Sequence, residues 1–320
     1  MRLRTTALFV AAAALAVASV TVSTEAQAPF ERIVVFGTSL SDSGNAFALR
    51  GETSTAPDYD LDPLLVPSAS YARGGHHFSN GATWIEQFAR SRGLAGSARP
   101  AVLAEDSIAT NYAVAAARAR EDGVNFNLAT QVDAFLQHSG GAAPADALYV
   151  IEMGGNDIRD ALLAYGSGGA GPVLQAANLA IFQEIKKLHD AGARKFLVWR
   201  APNVGLTPAI RRLDQINPGA AFLAGALSRA FNTGLDGVVA SLSGLEGISI
   251  RRLDAYRLIA NIVANPAAYG LTNVTAACVT PNVAPFTCPN PDEYLFWDGI
   301  HPTKAAHAIV GQEAAAVLAQ

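Results

Sequence analysis

Residues 34–47 read "VVFGTSLSDSGNAF": an apolar run from Ile33 to Phe36, a glycine at 37, and serines at 39, 41 and 43. Four consecutive apolar residues ahead of a glycine match a strand buried on both faces, the kind found in parallel sheets. A serine three residues past such a strand lies where open α/β sheets place their chemistry, beyond the carboxyl ends of the strands. The stretch therefore predicts an α/β fold with a reactive group after its first strand.

Working outward, strand-length apolar runs recur at 147–153, 196–199 and 248–253, with a further strand expected over 108–113. Helical periodicity lies between and after them, over 83–92, 128–138, 173–191, 220–242 and 304–318. This alternation predicts a mainly parallel sheet with helices on both faces, a three-layer α/β/α arrangement. No linker divides it, so residues 29–320 are expected to form one domain. Residues 50–80 are rich in Pro, Ser, Gly and Asp and read as a long loop over the sheet, the sort of segment on which binding is built.

The first 28 residues carry Arg2 and Arg4, an Ala/Val/Leu stretch and small residues ending at Ala28, the pattern of a cleavable export signal. A cut after Ala26 stays open, because Pro29 would follow a cut after Ala28. Removing residues 1–28 takes away Arg2, Arg4 and Glu25 and moves the formal net charge from −4 to −5. Such a chain offers no basic surface for nucleic acid and no electrostatic attraction to anionic membranes. No second apolar span of about 20 residues follows, so a secreted or periplasmic protein without a stable membrane anchor is expected. With its last helical segment close to the end of the sequence, a barrel anchor is not expected.

The two cysteines, Cys278 and Cys288, stand ten residues apart. Export favours a disulfide, which loop-closure entropy values at about 2.5–3 kcal/mol; two free thiols, or half of a metal site, are the alternative.

A serine hydroxyl becomes nucleophilic when an imidazole accepts its proton and a carboxylate orients that imidazole. Asp298 and His301 are three residues apart in "DGIH", and Asn156, in "MGGNDI", follows the strand at 147–153 with an amide suited to holding an oxyanion. Ser39, His301, Asp298 and Asn156 together supply nucleophile, base, orienting carboxylate and oxyanion donor. No metal or cofactor is called for. Asp58, Asp60 and Asp62 alternate like a calcium loop, but Pro63 stands where that loop needs glycine. His76 and His77 have no spaced ligand partners and read as loop residues near the substrate mouth. Ser41 and Ser43 read as helix-start residues bonding nearby amides.

Taken in order, "FGTSLSDSGN" (36–45), "HHFSNGATWIEQFA" (76–89), "NYAVAAAR" (111–118), "MGGNDI" (153–158), "APNVGLTPA" (201–209), "NPAAYGLTNVTAAC" (265–278) and "FWDGIHPTKAAH" (296–307) resemble the GDSL lipase/esterase family of the SGNH hydrolases, in its exported lecithinase- and haemolysin-like branch. The resemblance spans nearly the whole chain beyond the leader. It implies a flavodoxin-like three-layer domain with Ser39 as nucleophile, His301 as general base and Asp298 as its partner. It also implies an oxyanion hole from the Ser39 N–H, the Asn156 side chain and a backbone N–H of the "AVAAA" segment, assigned by alignment to Ala116. The implied reaction is hydrolysis of short- to medium-chain acyl esters through an acyl-enzyme. Phospholipase, lysophospholipase or acyltransferase action on the same triad, and a catalytically inactive binding protein on the same scaffold, are the alternatives. The rival α/β-hydrolase fold needs a second glycine two residues after its serine, where this chain has Ser41.

The chain departs from the family in two places. Thr38 stands where the family usually has Asp, and Ala115 and Ala116 where it usually has two glycines. An alanine there donates its N–H as well as glycine does, but at positive φ it would cost of order 1 kcal/mol.

Overall fold

The computed structural model describes residues 30–320; the expected export signal at 1–28 lies outside them. Eight strands, β1 (Arg32–Gly37), β2 (Thr53–Ser54), β3 (Ser70–Tyr71), β4 (Ala147–Glu152), β5 (Lys195–Arg200), β6 (Ser249–Asp254), β7 (Asn273–Ala277) and β8 (Tyr294–Phe296), appear in chain order. The α-helices are α1 (Asn45–Arg50), α2 (Trp84–Ser91), α3 (Leu128–His138), α4 (Gly155–Leu163), α5 (Ala170–Asp190), α6 (Pro208–Ile216), α7 (Ala220–Leu242), α8 (Ala255–Ala264) and α9 (Lys304–Leu318).

The central sheet is parallel and runs β1-β4-β5-β6. Successive side chains of a strand point to opposite faces, and the two faces of this sheet bury separate cores. Val34, Phe36, Tyr149, Ile151, Phe196 and Val198 pack under α3, α4, α5 and α7. Ile33, Val35, Leu148, Val150, Leu197 and Trp199 pack against α2 and α9. This is the expected three-layer α/β/α arrangement.

The strand expected over 108–113 is reduced to single bridges. Val35 N–H donates to the Thr110 carbonyl at 3.0 Å and Tyr112 N–H to the Val35 carbonyl at 2.8 Å, on the side of β1 opposite β4. Val114 N–H goes on to donate to the Gly37 carbonyl at 3.2 Å, while the Asn111 side chain ties this edge to the turn after β1 by donating to the Ser41 carbonyl and to Ser43 Oγ. Residues 110–114 are thus an irregular edge to the sheet, and they carry the chain up to Ala116 beside the end of β1.

Local chemistry explains the element boundaries near the site. Thr83 and Glu86 form a capping box that starts α2. The Thr303 hydroxyl accepts the Ala306 N–H and starts α9 directly after His301. Gly154, at φ 111°, turns the chain from β4 into α4, and a Cβ there would lie 2.3 Å from the Phe231 ring. Only glycine fits that position.

Candidate active site

Ser39, Asn156 and the Asp298–His301 segment come from distant parts of the chain and meet at the carboxyl end of the sheet. Ser39 lies in the turn after β1, Asn156 in the first turn of α4 after β4, and His301 in the loop between β8 and α9. The Ser39 hydroxyl is 2.8 Å from His301 Nε2. His301 Nδ1 is 2.7 Å from Asp298 Oδ2. With Nδ1–H donating to the carboxylate, Nε2 is left free to accept the serine proton. Both His301 and Asp298 are buried, which strengthens the interaction by excluding water.

The spacing of Asp298 and His301 works because of a tight turn. The other carboxylate oxygen, Oδ1, accepts the backbone N–H groups of Ile300 (2.9 Å) and His301 (2.8 Å), and Trp297 N–H donates to the His301 carbonyl at 2.8 Å. Gly299 lets this turn press against the 50–80 loop, donating to the Leu65 carbonyl at 2.7 Å; a Cβ there would meet Leu64 O at 2.2 Å. From the same loop the buried Tyr71 hydroxyl donates to Asp298 Oδ2 at 2.8 Å. Burial first, and then the Asp298 charge, push the Tyr71 phenol well above its ordinary range, so it stays a donor. Nothing in the local sequence marks Tyr71, because its partner is 227 residues away.

The backbone donors of the site are distinguished by which neighbours are already engaged. Ala115 N–H donates to the buried Asp42 carboxylate at 2.9 Å, Ala117 N–H to the Val114 carbonyl, and Ala119 N–H to Asp157 at 2.9 Å. Ala116 N–H between them has no acceptor among the described residues, and neither has Ser39 N–H. Ala116 sits at φ 66°, the left-handed conformation that favours glycine, so the alanine here carries the strain that a negative φ would have avoided. Asn156 Nδ2 donates to the Ala117 carbonyl at 2.8 Å, which fixes the amide beside the alanines.

Asp42, not Ser41 or Ser43, organises the start of α1: its carboxylate accepts the N–H groups of Gly44, Asn45 and Ala46. Burial raises its pKa and those hydrogen bonds partly offset the rise. Ser43 accepts from Asn111 as a loop residue would, whereas Ser41 turns to Glu152 and Trp84. His77 also departs from expectation. It is buried away from the mouth, 2.9 Å from Glu86 and bonded to the Gly74 carbonyl, since the capping carboxylate of α2 offers it a partner. His76 stacks on Phe47. Cys278 and Cys288 are joined in a disulfide. Among the described residues no three His, Cys, Asp or Glu side chains are grouped to hold a metal ion.

Two hollows open on Ser39. A cleft of about 490 Å³ has a polar wall that includes Arg50, Asp60, Asp62, Asn125 and Arg159. A second, apolar pocket of about 90 Å³ is lined by Leu40, Pro202, Val204, Ile210 and Ile300. Ser39, Asn156 and His301 border both.

Comparison with known proteins gives the chain a family. The profile of the GDSL-like lipase/acylhydrolase family matches residues 33–314. This chain belongs to that family. It is a GDSL-type serine ester hydrolase. A GDSL esterase/lipase of Arabidopsis thaliana is 30% identical, over 88% of this chain and 80% of its own. Another GDSL esterase/lipase of the same plant is 26% identical, over 87% and 85%. Among solved structures, an extracellular lipase from Streptomyces rimosus aligns at 14% identity and a TM-score of 0.36, covering 88% of this chain and 99% of that one. No helix of the described residues is long and apolar enough to cross a membrane.

Proposed function

We propose that this GDSL ester hydrolase is exported, with residues 1–28 as its leader and 29–320 as one catalytic domain, and that it cleaves short- to medium-chain acyl esters through an acyl-enzyme. The line Ser39–His301–Asp298, with its contacts of 2.8 and 2.7 Å, is the observation that carries the reading. Ser39 Oγ attacks the ester carbonyl while its proton passes to His301 Nε2, and Asp298 stabilises the imidazolium. The carbonyl oxygen, now negative, takes hydrogen bonds from Ser39 N–H, Ala116 N–H and Asn156 Nδ2. Collapse of the tetrahedral intermediate breaks the bond to the alcohol, which leaves with the proton from His301. Water, deprotonated by the same imidazole, attacks the acyl-serine, and the acid departs.

The pocket sizes support the chain-length preference. An apolar cavity of about 150 Å³ accommodates a six-carbon ring, so by proportion the pocket of about 90 Å³ beside Ser39 suits an acyl tail of roughly three to four carbons. A second apolar pocket, of about 70 Å³, shares Leu40, Pro202, Thr207 and Ile300 with the first and offers room for a somewhat longer tail. The polar cleft suits the alcohol. A nitrophenyl ester series from acetate to palmitate, run beside phosphatidylcholine, tests this: activity should peak at or below about eight carbons. A peak at palmitate, or faster release from phosphatidylcholine, would refute the chain-length reading. Ser39→Ala should lower turnover by about six orders of magnitude and abolish fluorophosphonate labelling; wild-type labelling in that variant would end the assignment.

A further inference from the structure

One buried ionisable group beside the nucleophile has no part in the steps above. Glu152 ends β4 opposite Gly37 of β1 and is 3% exposed. Beyond Gly37 the ladder stops, and the next donor, Thr38 N–H, meets the Glu152 carboxylate at 2.9 Å in place of a β4 carbonyl. The Thr38 hydroxyl lies 3.1 Å from both carboxylate oxygens, and the Ser41 hydroxyl 3.1 Å from one of them. These are the two residues that bracket Ser39 and Leu40. The Thr38 carbonyl closes the turn by accepting the N–H groups of Ser41 and Asp42, both at 3.0 Å.

The direction of each proton follows from chemistry. The indole N–H of Trp84 can only donate, and it donates to Ser41 Oγ at 2.9 Å. Ser41 must then send its own hydrogen to Glu152. Three donors converge on the carboxylate, which makes no ion pair among the described residues. Its surroundings are Thr38 and Ser41 from the turn, Gly37 from β1 and, behind Ser41, Trp84 from α2. The other carboxylate of the turn, Asp42, is bonded to Gly44, Asn45, Ala46 and Ala115 instead.

We propose that Glu152 is a positioning residue for the reaction proposed above: as a carboxylate it clamps Thr38 and Ser41, and so holds the turn in the shape that leaves the Ser39 N–H free and its hydroxyl on His301. Where the family usually carries a carboxylate next to the nucleophile, this chain reaches the same turn with a carboxylate from the neighbouring strand. Burial pushes the Glu152 carboxyl up to about 7, with the Thr38 and Ser41 hydrogen bonds working in the opposite direction. Protonation would add an O–H donor among groups that all donate to the carboxylate, and one of the two hydroxyls could accept it only by giving up its own bond there. Activity therefore needs both a neutral His301 and an ionised Glu152. The proposal rests on the serine-hydrolase reading above.

The test uses the mature enzyme and p-nitrophenyl butyrate. Glu152→Gln keeps the shape but presents an NH2 group to hydroxyls that already donate. It should lower kcat about 10- to 100-fold, a loss on the scale that an ångström of misplacement produces, with KM within about twofold. In the wild type, log kcat/KM should climb on the acid side with a slope approaching 2, and in Glu152→Gln with a slope of 1. Stability separates positioning from folding. A carboxyl whose folded pKa stands above its unfolded value stabilises below the unfolded pKa, and that contribution is lost as pH rises through about 7. The Gln variant, free of that loss, should be at least as stable as wild type at pH 8 while remaining the slower enzyme. Thr38→Asp, which sets a second carboxylate against Glu152, should lose activity, and Thr38→Asp/Glu152→Gln should regain part of it. Wild-type kcat and a slope of 2 in Glu152→Gln would overturn the proposal, even while wild-type labelling by fluorophosphonate upheld the serine mechanism. A wild type that neither labels nor hydrolyses the ester would overturn both.

Discussion

Replacing Tyr71 by Phe removes one hydroxyl from the site and leaves its packing in place. The ring stays edge-on to Tyr59 and Trp297, each at 5.7 Å. The lost hydrogen bond, 2.8 Å long, runs to the fully buried Asp298 carboxylate. Hydrogen bonds to charged groups contribute about 1.5–3 kcal/mol, and a domain of this size loses about 2–3 °C in Tm per kcal/mol. Tyr71→Phe should therefore unfold about 3–9 °C below wild type in a thermal scan at pH 8. The effect on catalysis should be smaller. Asp298 keeps the backbone N–H groups of Ile300 and His301 on Oδ1 and the imidazole on Oδ2, so its orientation survives. We expect kcat/KM to fall by less than about tenfold, against about 10⁴-fold for Asp298→Asn, where the amide selects the wrong imidazole tautomer. Two results would refute this reasoning: an unchanged Tm, which would mean that the hydroxyl contributes nothing to the fold, or a loss of activity equal to that of Asp298→Asn, which would make Tyr71 indispensable to the triad.

Further outcomes follow from other parts of the site. Asn156→Ala should lower kcat by about two to three orders of magnitude, the usual effect of removing one oxyanion donor, with KM little changed in steady-state ester assays. Ala116→Gly relieves the strain of alanine at φ 66°, and after the larger chain entropy of glycine is subtracted the net gain is at most about 1 kcal/mol. A Tm raised by up to about 3 °C with unchanged kcat is expected, and a fall in Tm would show that the alanine methyl packs usefully. Gly154→Ala combines a φ of 111° with a contact 2.3 Å from the Phe231 ring. Backbone strain and overpacking together should cost about 2–5 kcal/mol, read as a large drop in Tm or in soluble yield.

Several features of this protein were legible in the order of its residues, and each is local. The runs over 33–36, 147–153 and 196–199 became β1, β4 and β5, because four or five consecutive apolar residues are satisfied between two helical layers, and 248–253 became the edge strand β6, where Ser249, Arg251 and Arg252 are exposed. The helices at 128–138, 220–242 and 304–318 kept those limits, since apolar periodicity and caps act within a few residues. Asp298 and His301 were recognisable as a pair because a three-residue turn holds them together. Helices α4, α6 and α8 were less visible. They are short, and α4 starts at a Gly-Gly sequence whose meaning depends on Phe231 filling the space that a Cβ would need.

What the sequence by itself determined is the fold class, the chemical identity of the candidate nucleophile, base and carboxylate, and the position of Asn156. Only the tertiary structure decided how those groups are held. Tyr71 on Asp298, Glu152 under Thr38 and Asp42 on Ala115 are carboxylate contacts between residues from 73 to 227 positions apart. No periodicity or spacing encodes such a pair. The same is true of which N–H stays free, since Ala115 gives its own to the buried Asp42 carboxylate and Ala116 does not, and of Ala116's positive φ. A buried charge takes whatever donors the fold delivers to it, and those partners exist only once the layers have closed around it.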